Sequence, residues 1–420
     1  MIEVKDAVIP ELRFPEFEGE WVETKLGDFI IDHRGGASFK PKDFVSYSGC
    51  EVIPKKAISR GGRLLLDEHS PTYCNPTFFS NNPRSVIDES YLITTLRDLV
   101  PSGPNIGYLV QFKSNKSYIL AQGVYALKLD MNKVVREFLI HYSNSFNYRK
   151  VMRTIMVGST QVHIRNQDYF NIRFHSPKIQ EQQKIATFLT AVDKRIQMLQ
   201  QKKEKLERYK KGVMQKLFSQ EIRFKDEKGE DYPDWEEKKL GEVTNIYDGT
   251  HQTPKYVESG IPFYSVEHIS ANQFSSTKYI SEKVFEKENQ RVRLESGDIL
   301  MTRIGSIGVA KYIDWDVRAS FYVSLALLKQ RADFDGKFLS YAIHNSRFQR
   351  ELWKRTIHVA FPQKINLGEI GKCRISLPSL PEQKRIAAFL SSLYKKIDQV
   401  TQQIEHTRQW KKGLLQKMFV

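Results

Sequence analysis

The chain carries the same helical segment twice. PKIQEQQKIATFLTAVDKRIQMLQQKKEKLERYKKGVMQKLF begins at Pro177, and PSLPEQKRIAAFLSSLYKKIDQVTQQIEHTRQWKKGLLQKMF begins at Pro378, an offset of 201 without a gap. Seventeen of these 42 positions are identical, among them Glu181/Glu382, Gln182/Gln383, Gly212/Gly413 and Phe218/Phe419. A repeat on this scale means that whole structural units are duplicated. A second echo lies upstream, where Leu12-Arg13-Phe14, Trp21 and Leu26-Gly27 recur as Ile222-Arg223-Phe224, Trp235 and Leu240-Gly241. The sequence therefore divides into module, helix, module, helix, over 1–176, 177–220, 221–377 and 378–420.

Both repeated segments read as long helices, each opening just after its proline. Apolar residues follow a 4-3-4-3 spacing at Ile185, Leu189, Val192, Ile196 and Leu199, then Leu206, Val213 and Leu217. The second copy keeps the phase at Ile386, Leu390, Leu393, Ile397, Val400 and Ile404. A 3.5-residue repeat predicts a coiled coil; the alternative is two amphipathic helices, each packed on its own module. Beside the seam runs a second apolar stripe, Phe188 and Tyr209 in one copy, Phe389 and Trp410 in the other. A two-helix seam needs only its a and d positions, so this stripe predicts further docking, either of a partner chain's helices or of the chain's own modules.

The modules read as mixed α and β. Strands are expected at Ser90–Leu96, Ile119–Lys128, Gly297–Thr302 and Ala319–Leu328, and helices at Val134–Arg149 and Gly336–Trp353. At 420 residues and 40% hydrophobic, the chain has enough apolar mass for substantial cores. The net charge is +16. The two helical segments hold +7 and +5 of it, and the modules only +3 and +1. Each module nevertheless opens on an acidic cluster and is basic beyond it, a segregation that suits one nucleic-acid-facing side.

Signatures of chemistry are few. There is no GxGxxG and no G-x4-GK[ST] to cradle a nucleotide, and no CxxC, HxH or HxxxH spacing to begin a metal site. Asn75-Pro76-Thr77-Phe78 resembles an amino-methyltransferase motif with threonine in place of a proline, and a turn is the better reading. Glu236-Glu237-Lys238 resembles the end of a nuclease site inside a tract that is simply acidic. No apolar run reaches membrane-spanning length, and the N-terminal MIEVKDAVIPEL has no signal-peptide core, so a cytoplasmic protein is expected.

Loops offer better candidates, for contact with DNA. In the second module these are Thr250, His251, Gln252, Thr253, Lys255 and Tyr256 in a Gly/Pro-punctuated loop, Arg303 after a strand, and Gln363 with Lys364. In the first they are Arg34, Gly35, Gly36 and Lys40, Arg97 after a strand, and Ser159, Thr160, Gln161 and His163. Arginine reads guanine bidentately, glutamine reads adenine, and glycine lets backbone approach phosphate.

Taken together, the sequence resembles the specificity subunit of type I restriction–modification enzymes. The resemblance rests on the paired Pro-x-x-x-Glu-Gln-x-x-Ile-Ala-x-Phe-Leu segments (177–189 and 378–390), the Lys-Lys-Gly-x-x-Gln-Lys ends (210–216 and 411–417), Asp248–Tyr256 and Asp298–Arg303. It departs from the family pattern in lacking a GTHxTP loop in the first half and in Ala360-Phe361-Pro362-Gln363, where the family has Gly-x-Thr-Gln. It implies an α+β fold of two similar target-recognition domains joined by two long antiparallel coiled-coil helices, with pseudo-two-fold symmetry. Each module would read one half of a split duplex DNA site. The helices, about 50 Å from residue 185 to 217, would set a gap of roughly 14 base pairs between the halves. It further implies partners: two methylation subunits bringing S-adenosylmethionine, and ATP- and Mg-dependent restriction subunits, with no cofactor in this chain and no catalysis by it. Two other readings compete, a sequence-blind coiled-coil DNA adaptor and a self-contained adenine methyltransferase or nuclease.

Overall fold

The computed structural model describes residues 8–67 and 70–420. The first seven residues of the expected leaderless N-terminus lie outside them. Two compact units emerge, one running to Gln201 and taking in Gln402–Val420, the other spanning Lys202–Thr401. Both long helices are divided between them. The first helix is Ile179–Phe218 and the second Leu380–Lys417, each starting two residues after the proline that precedes it.

In the first unit, strand Val124–Leu129 lies between Ile30–Gly35 and Tyr91–Thr95, antiparallel to both. A second sheet of short strands pairs Glu51–Ile53 in parallel with Tyr118–Leu120. Helices Arg136–Ser143 and Phe146–Ile155 cover the first sheet. Leu92, Leu127, Phe138, Leu139, Tyr148 and Met152 form one core with Ile185, Leu189 and Val192 of the first long helix and Leu414, Met418 and Phe419 at the end of the second.

The second unit repeats this plan. Strand Leu325–Leu328 lies between Ile246–Asp248 and Ile299–Thr302, antiparallel to both. Ile261–Tyr264 pairs in parallel with Ser320–Phe321. Helices Gly336–Ile343 and Ser346–Arg355 follow. Leu217, from the far end of the first long helix, shares a core with Ile386, Leu390 and Leu393 of the second, together with Phe338, Leu339, Phe348 and Leu352. The start of each long helix thus packs with the end of the other, as in an antiparallel pair.

Four expected elements are each divided in two. The helix expected over Val134–Arg149 stops at Ser143 and restarts at Phe146, because Ser145 caps the new helix by accepting from the Tyr148 amide at 3.3 Å. The helix expected over Gly336–Trp353 breaks in the same way at Asn345, which accepts from the Arg347 amide at 2.8 Å. A side-chain cap of this kind satisfies amides that would otherwise lack partners, so the chain can turn there. Strand Ile119–Lys128 is two strands, split by a turn with Gly123 at φ +85°. Ala319–Leu328 is likewise split at Tyr322–Ser324.

One bracket recurs at the head of each long helix. Glu181 is buried and receives Arg13 through two bonds, Nε to Oε1 at 2.8 Å and Nη2 to Oε2 at 2.7 Å, and Trp21 Nε1 at 3.2 Å. Glu382, fully buried, receives Arg223 at 3.2 and 2.7 Å and Trp235 Nε1 at 3.2 Å. The carboxylate holds the Arg13 guanidinium proton more firmly than usual, and likewise that of Arg223. Next door, Gln182 accepts from the Val135 amide at 2.9 Å and donates to the Pro177 carbonyl at 2.9 Å. Gln383 does the same with Asp335 and Pro378, at 2.9 and 2.8 Å. The Glu-Gln pair of the repeat is therefore a fastening: Glu holds the opening of its module and Gln holds the approach to the paired helices. A carboxylate in the first turn also suits the helix dipole.

Candidate nucleic-acid interface

The recognition candidates sit on loops at matching strand ends. In the second module, the Gly249 turn passes so close to the chain crossing it that a Cβ would lie 2.0 Å from the Phe321 carbonyl oxygen. In the first, a Cβ on Gly36 would lie 1.8 Å from the Ala121 carbonyl oxygen. These two glycines are equivalent, and only glycine fits such an approach. The loop after Gly249 leaves His251, Gln252, Thr253 and Lys255 exposed, with Thr250 partly so. Thr253 Oγ1 is 3.3 Å from the Tyr322 hydroxyl.

Asp248 organises this loop from below. Its side chain is buried, with Arg291 Nη2 at 2.6 Å, His251 Nε2 at 2.8 Å and Arg303 Nη2 at 3.6 Å. Burial pushes its pKa up, but bonds from Arg291 and His251 overcome that and hold it below the usual carboxylate range. Arg291 had no signature in the sequence, since it lies 43 residues from the carboxylate it serves.

Arg303 requires a correction. It is only 8% exposed, donates through Nη1 to the Ile365 carbonyl at 3.1 Å, and burial lowers its pKa. It lies beneath the loops and braces them. Tyr256 is partly exposed, its ring 5.9 Å from Phe263 with Lys278 over its face. Gln363 and Lys364 are exposed, on a hairpin closed by Ile357 N–H to the Lys364 carbonyl at 2.8 Å. That hairpin meets the Arg303 segment, where the Gly305 amide donates to the Gln363 carbonyl at 2.7 Å. The 248–253 loop, the 303–305 segment and the 357–364 hairpin thus converge.

In the first module, Ser159, Thr160, Gln161 and His163 are exposed on the corresponding hairpin, closed by Val157 and His163 in reciprocal 2.9 Å bonds. Arg97 is exposed and its strand pairs with that hairpin, opposite His163. Arg34 departs from expectation. Half-buried, it lies over the Tyr91 ring at 4.9 Å, bonds Asp32 at 3.3 Å and donates to the Val86 carbonyl. Lys40 is exposed at the head of a short turn, Gly35 is exposed and Gly36 is partly covered.

The two motifs suggestive of chemistry have structural duties. Asn75 caps helix Pro76–Asn81, accepting from the Thr77 amide at 2.9 Å. Glu237 is bound by Arg347 and, at 3.0 Å, by Arg374, while Glu236 pairs with Lys238 at 2.8 Å. Among the described residues, no three His, Cys, Asp or Glu side chains are grouped to hold a metal ion, and no helix is long and apolar enough to cross a membrane.

On the helices, Ile185, Leu189, Val192, Ile386, Leu390, Leu393 and Val400 are buried, and Ile196, Leu199 and Ile397 are partly so. The second stripe divides. Phe188 meets Phe14 at 5.6 Å, and Phe389 meets Phe224 at 5.6 Å, so each is covered by its own module's opening segment. Tyr209 and Trp410 stay about half exposed, at 54% and 50%.

Comparison with known proteins bears on this geometry. The type I restriction modification DNA specificity domain matches twice, over residues 18–208 and 232–407. The type I restriction enzyme MjaVIII specificity subunit of Methanocaldococcus jannaschii is 27% identical over 419 residues, covering 96% of this chain and 92% of that one. The MjaIX specificity subunit of the same organism is 23% identical over 390 residues, covering 90% and 84%. The type I restriction-modification S subunit from M. genitalium shares the fold, with a TM-score of 0.62 at 17% identity over 98% of this chain and 99% of that one. Matched in both modules and through most of both long helices, the chain belongs to the type I restriction modification DNA specificity family.

Proposed function

We propose that this chain reads a bipartite DNA site for a type I restriction–modification assembly, each module contacting one half of the site. The observation that carries the reading is the paired architecture. Two modules present loops at equivalent strand ends, the Gly36 and Gly249 turns and the hairpins closed at His163 and Lys364, but with different side chains on them. Equivalent scaffolds with unlike loops suit two readers of unlike half-sites. Exposed Thr250, His251, Gln252, Thr253, Lys255, Gln363 and Lys364 supply donors and acceptors in one module. Arg97, Ser159, Thr160, Gln161 and His163 supply them in the other.

The chain contributes recognition and no chemistry of its own. Methylation subunits dock on the long helices, where Tyr209 and Trp410 offer half-exposed aromatic surface. They bring S-adenosylmethionine for transfer to adenine N6, which requires the base to be turned out of the stack. ATP- and Mg-dependent restriction subunits complete the complex, which works on cytoplasmic DNA.

The test is a methylome. The chain is expressed with its methylation subunit in an unmethylated host, and genomic DNA is sequenced for modified adenines. The expected result is a new motif of two defined blocks around a fixed unspecified gap. A folded complex that leaves no motif would favour a sequence-blind adaptor, and a motif written without the partner would make the chain an enzyme.

A further inference from the structure

The second module exposes two large apolar side chains on one loop. Val359 is 96% exposed and Phe361 103%, both at the tip of the hairpin closed between Ile357 and Lys364. Burying so large an apolar side chain stabilises a fold, and full exposure of a phenylalanine forgoes that stabilisation. The hairpin is nonetheless well fastened. The Gly305 amide holds the Gln363 carbonyl at 2.7 Å, the Ile365 amide holds the Arg303 carbonyl at 3.0 Å, and the Arg303 guanidinium holds the Ile365 carbonyl at 3.1 Å. The ring is therefore presented outward by a braced support.

The surroundings indicate what it meets. The helix leading into the hairpin, Ser346–Arg355, carries Arg347, Arg350, Lys354 and Arg355. With Arg374 these line a surface depression of about 730 Å³, where Glu237 pairs with Arg347 and Arg374 and Glu351 with Lys354 and Arg355, so that five cations face two carboxylates. Lys364 stands exposed at the hairpin base. Trp353, 67% exposed, lies 4.8 Å from the His358 ring, whose Nε2 donates to the Trp353 carbonyl at 2.9 Å. An apolar tip next to a helix with an excess of positive charge fits duplex DNA, because that excess attracts phosphates while phenylalanine is a common wedge between base steps. The corresponding hairpin of the first module carries Ser159, Thr160 and Gln161 instead, with no large apolar residue at its tip.

We propose that Phe361, with Val359 beside it, is an apolar wedge that enters the duplex within the half-site read by the second module and opens one base step. The proposal rests on the reading of that module as a DNA reader, and it makes the two modules unlike in mechanism: the first reads by hydrogen bonds, the second partly by unstacking.

The test uses the full chain assembled with its methylation subunit and duplexes of the methylome-defined site carrying 2-aminopurine at successive steps. The wild-type complex should raise 2-aminopurine fluorescence at one step of the second half-site only. Phe361→Ala should abolish that rise and weaken binding about ten- to hundredfold, leaving the first half-site's sequence preference unchanged; Phe361→Leu should retain part of both. Since the ring touches little of the fold, the thermal melt of the variant should match wild type. Wild-type affinity and fluorescence in Phe361→Ala would overturn the wedge while leaving the bipartite reading intact. So would a variant that still binds DNA but no longer assembles with the methylation subunit, which would make the tip a protein contact. A wild-type complex that binds no defined motif would instead overturn the underlying reading, and the wedge with it.

Discussion

Leu96 and Arg303 occupy the same position in the two modules. Each accepts at its backbone carbonyl from the amide of an isoleucine, Ile164 at 2.9 Å in the first case and Ile365 at 3.0 Å in the second. Both side chains point inward, at 2% and 8% exposure. Arg97, which matches Arg303 by eye in the sequence, is one residue further along and faces solvent. Successive side chains on a strand face opposite ways, so that single step decides between a brace and a possible base contact.

Arg303→Ala should therefore act on the fold. It removes the donor to the Ile365 carbonyl and one of two guanidiniums at Asp248, and should lower stability by about 1–3 kcal/mol in urea denaturation. Gln252→Ala and Gln363→Ala, both on the surface, should stay within about 0.5 kcal/mol of wild type yet weaken binding at the second half-site. An Arg303→Ala chain as stable as wild type would remove the bracing role.

The Glu–Arg brackets give a second prediction. Arg13→Ala or Arg223→Ala leaves the buried carboxylate of Glu181 or Glu382 without its charge partner and should cost about 3–5 kcal/mol. The double variant Arg13→Met/Glu181→Met should recover much of that loss, because two apolar side chains leave no unpaired charge. Equal destabilisation of the single and double variants would show that the charges themselves hold the module.

Glycines should respond in opposite directions. Gly212 and Gly413 lie inside the long helices with nothing within 4 Å of an added Cβ, so alanine should stabilise the isolated chain by about 1 kcal/mol at each. Gly36→Ala and Gly249→Ala force a Cβ against a carbonyl oxygen and should destabilise by about 1–3 kcal/mol. Thermal melts of the four variants separate the two classes.

His141 should make stability fall with acid. Its ring is 3% exposed, and burial, with Lys411 nearby, lowers its pKa to about 3. Nε2 lies 3.1 Å from Thr190 Oγ1. Asp193 is 3.9 Å from Nδ1, but both of its oxygens are taken by Lys411 at 2.6 and 2.7 Å, so it offers little to a protonated ring. The unfolded chain takes up the proton near pH 6.5, the folded one only near 3. The stabilisation is thus complete above about pH 6.5 and declines by about 1.4 kcal/mol per pH unit below it. His141→Gln should flatten the difference in denaturation midpoint between pH 7 and pH 5. An unchanged slope in the variant would assign the acid sensitivity elsewhere.

The long helices were legible because a heptad is a local pattern, and Ile185, Leu189, Ile386 and Leu390 are buried as their spacing requires. The strands and shorter helices of the modules were legible in place but not in extent. A single capping residue, Ser145 or Asn345, divides a run that hydrophobic periodicity treats as continuous. The role of the Glu-Gln repeat was not legible, since Arg13 is 168 residues from Glu181. Loop candidates were found by residue type alone. Burial then removed Arg303 from the contact surface, and packing covered part of Tyr256 and Arg34, none of which composition encodes.

The brackets at Glu181 and Glu382 also bear on how such a chain changes over generations. Their partners, Arg13, Trp21, Arg223 and Trp235, come from the opening stretch of each module, far in sequence from the loops that carry the donors and acceptors. Substitutions accumulating in the 250–256 loop or the 357–364 hairpin leave these fasteners untouched. Either module's loops can therefore be exchanged through drift with no compensating change in the helices that carry the module.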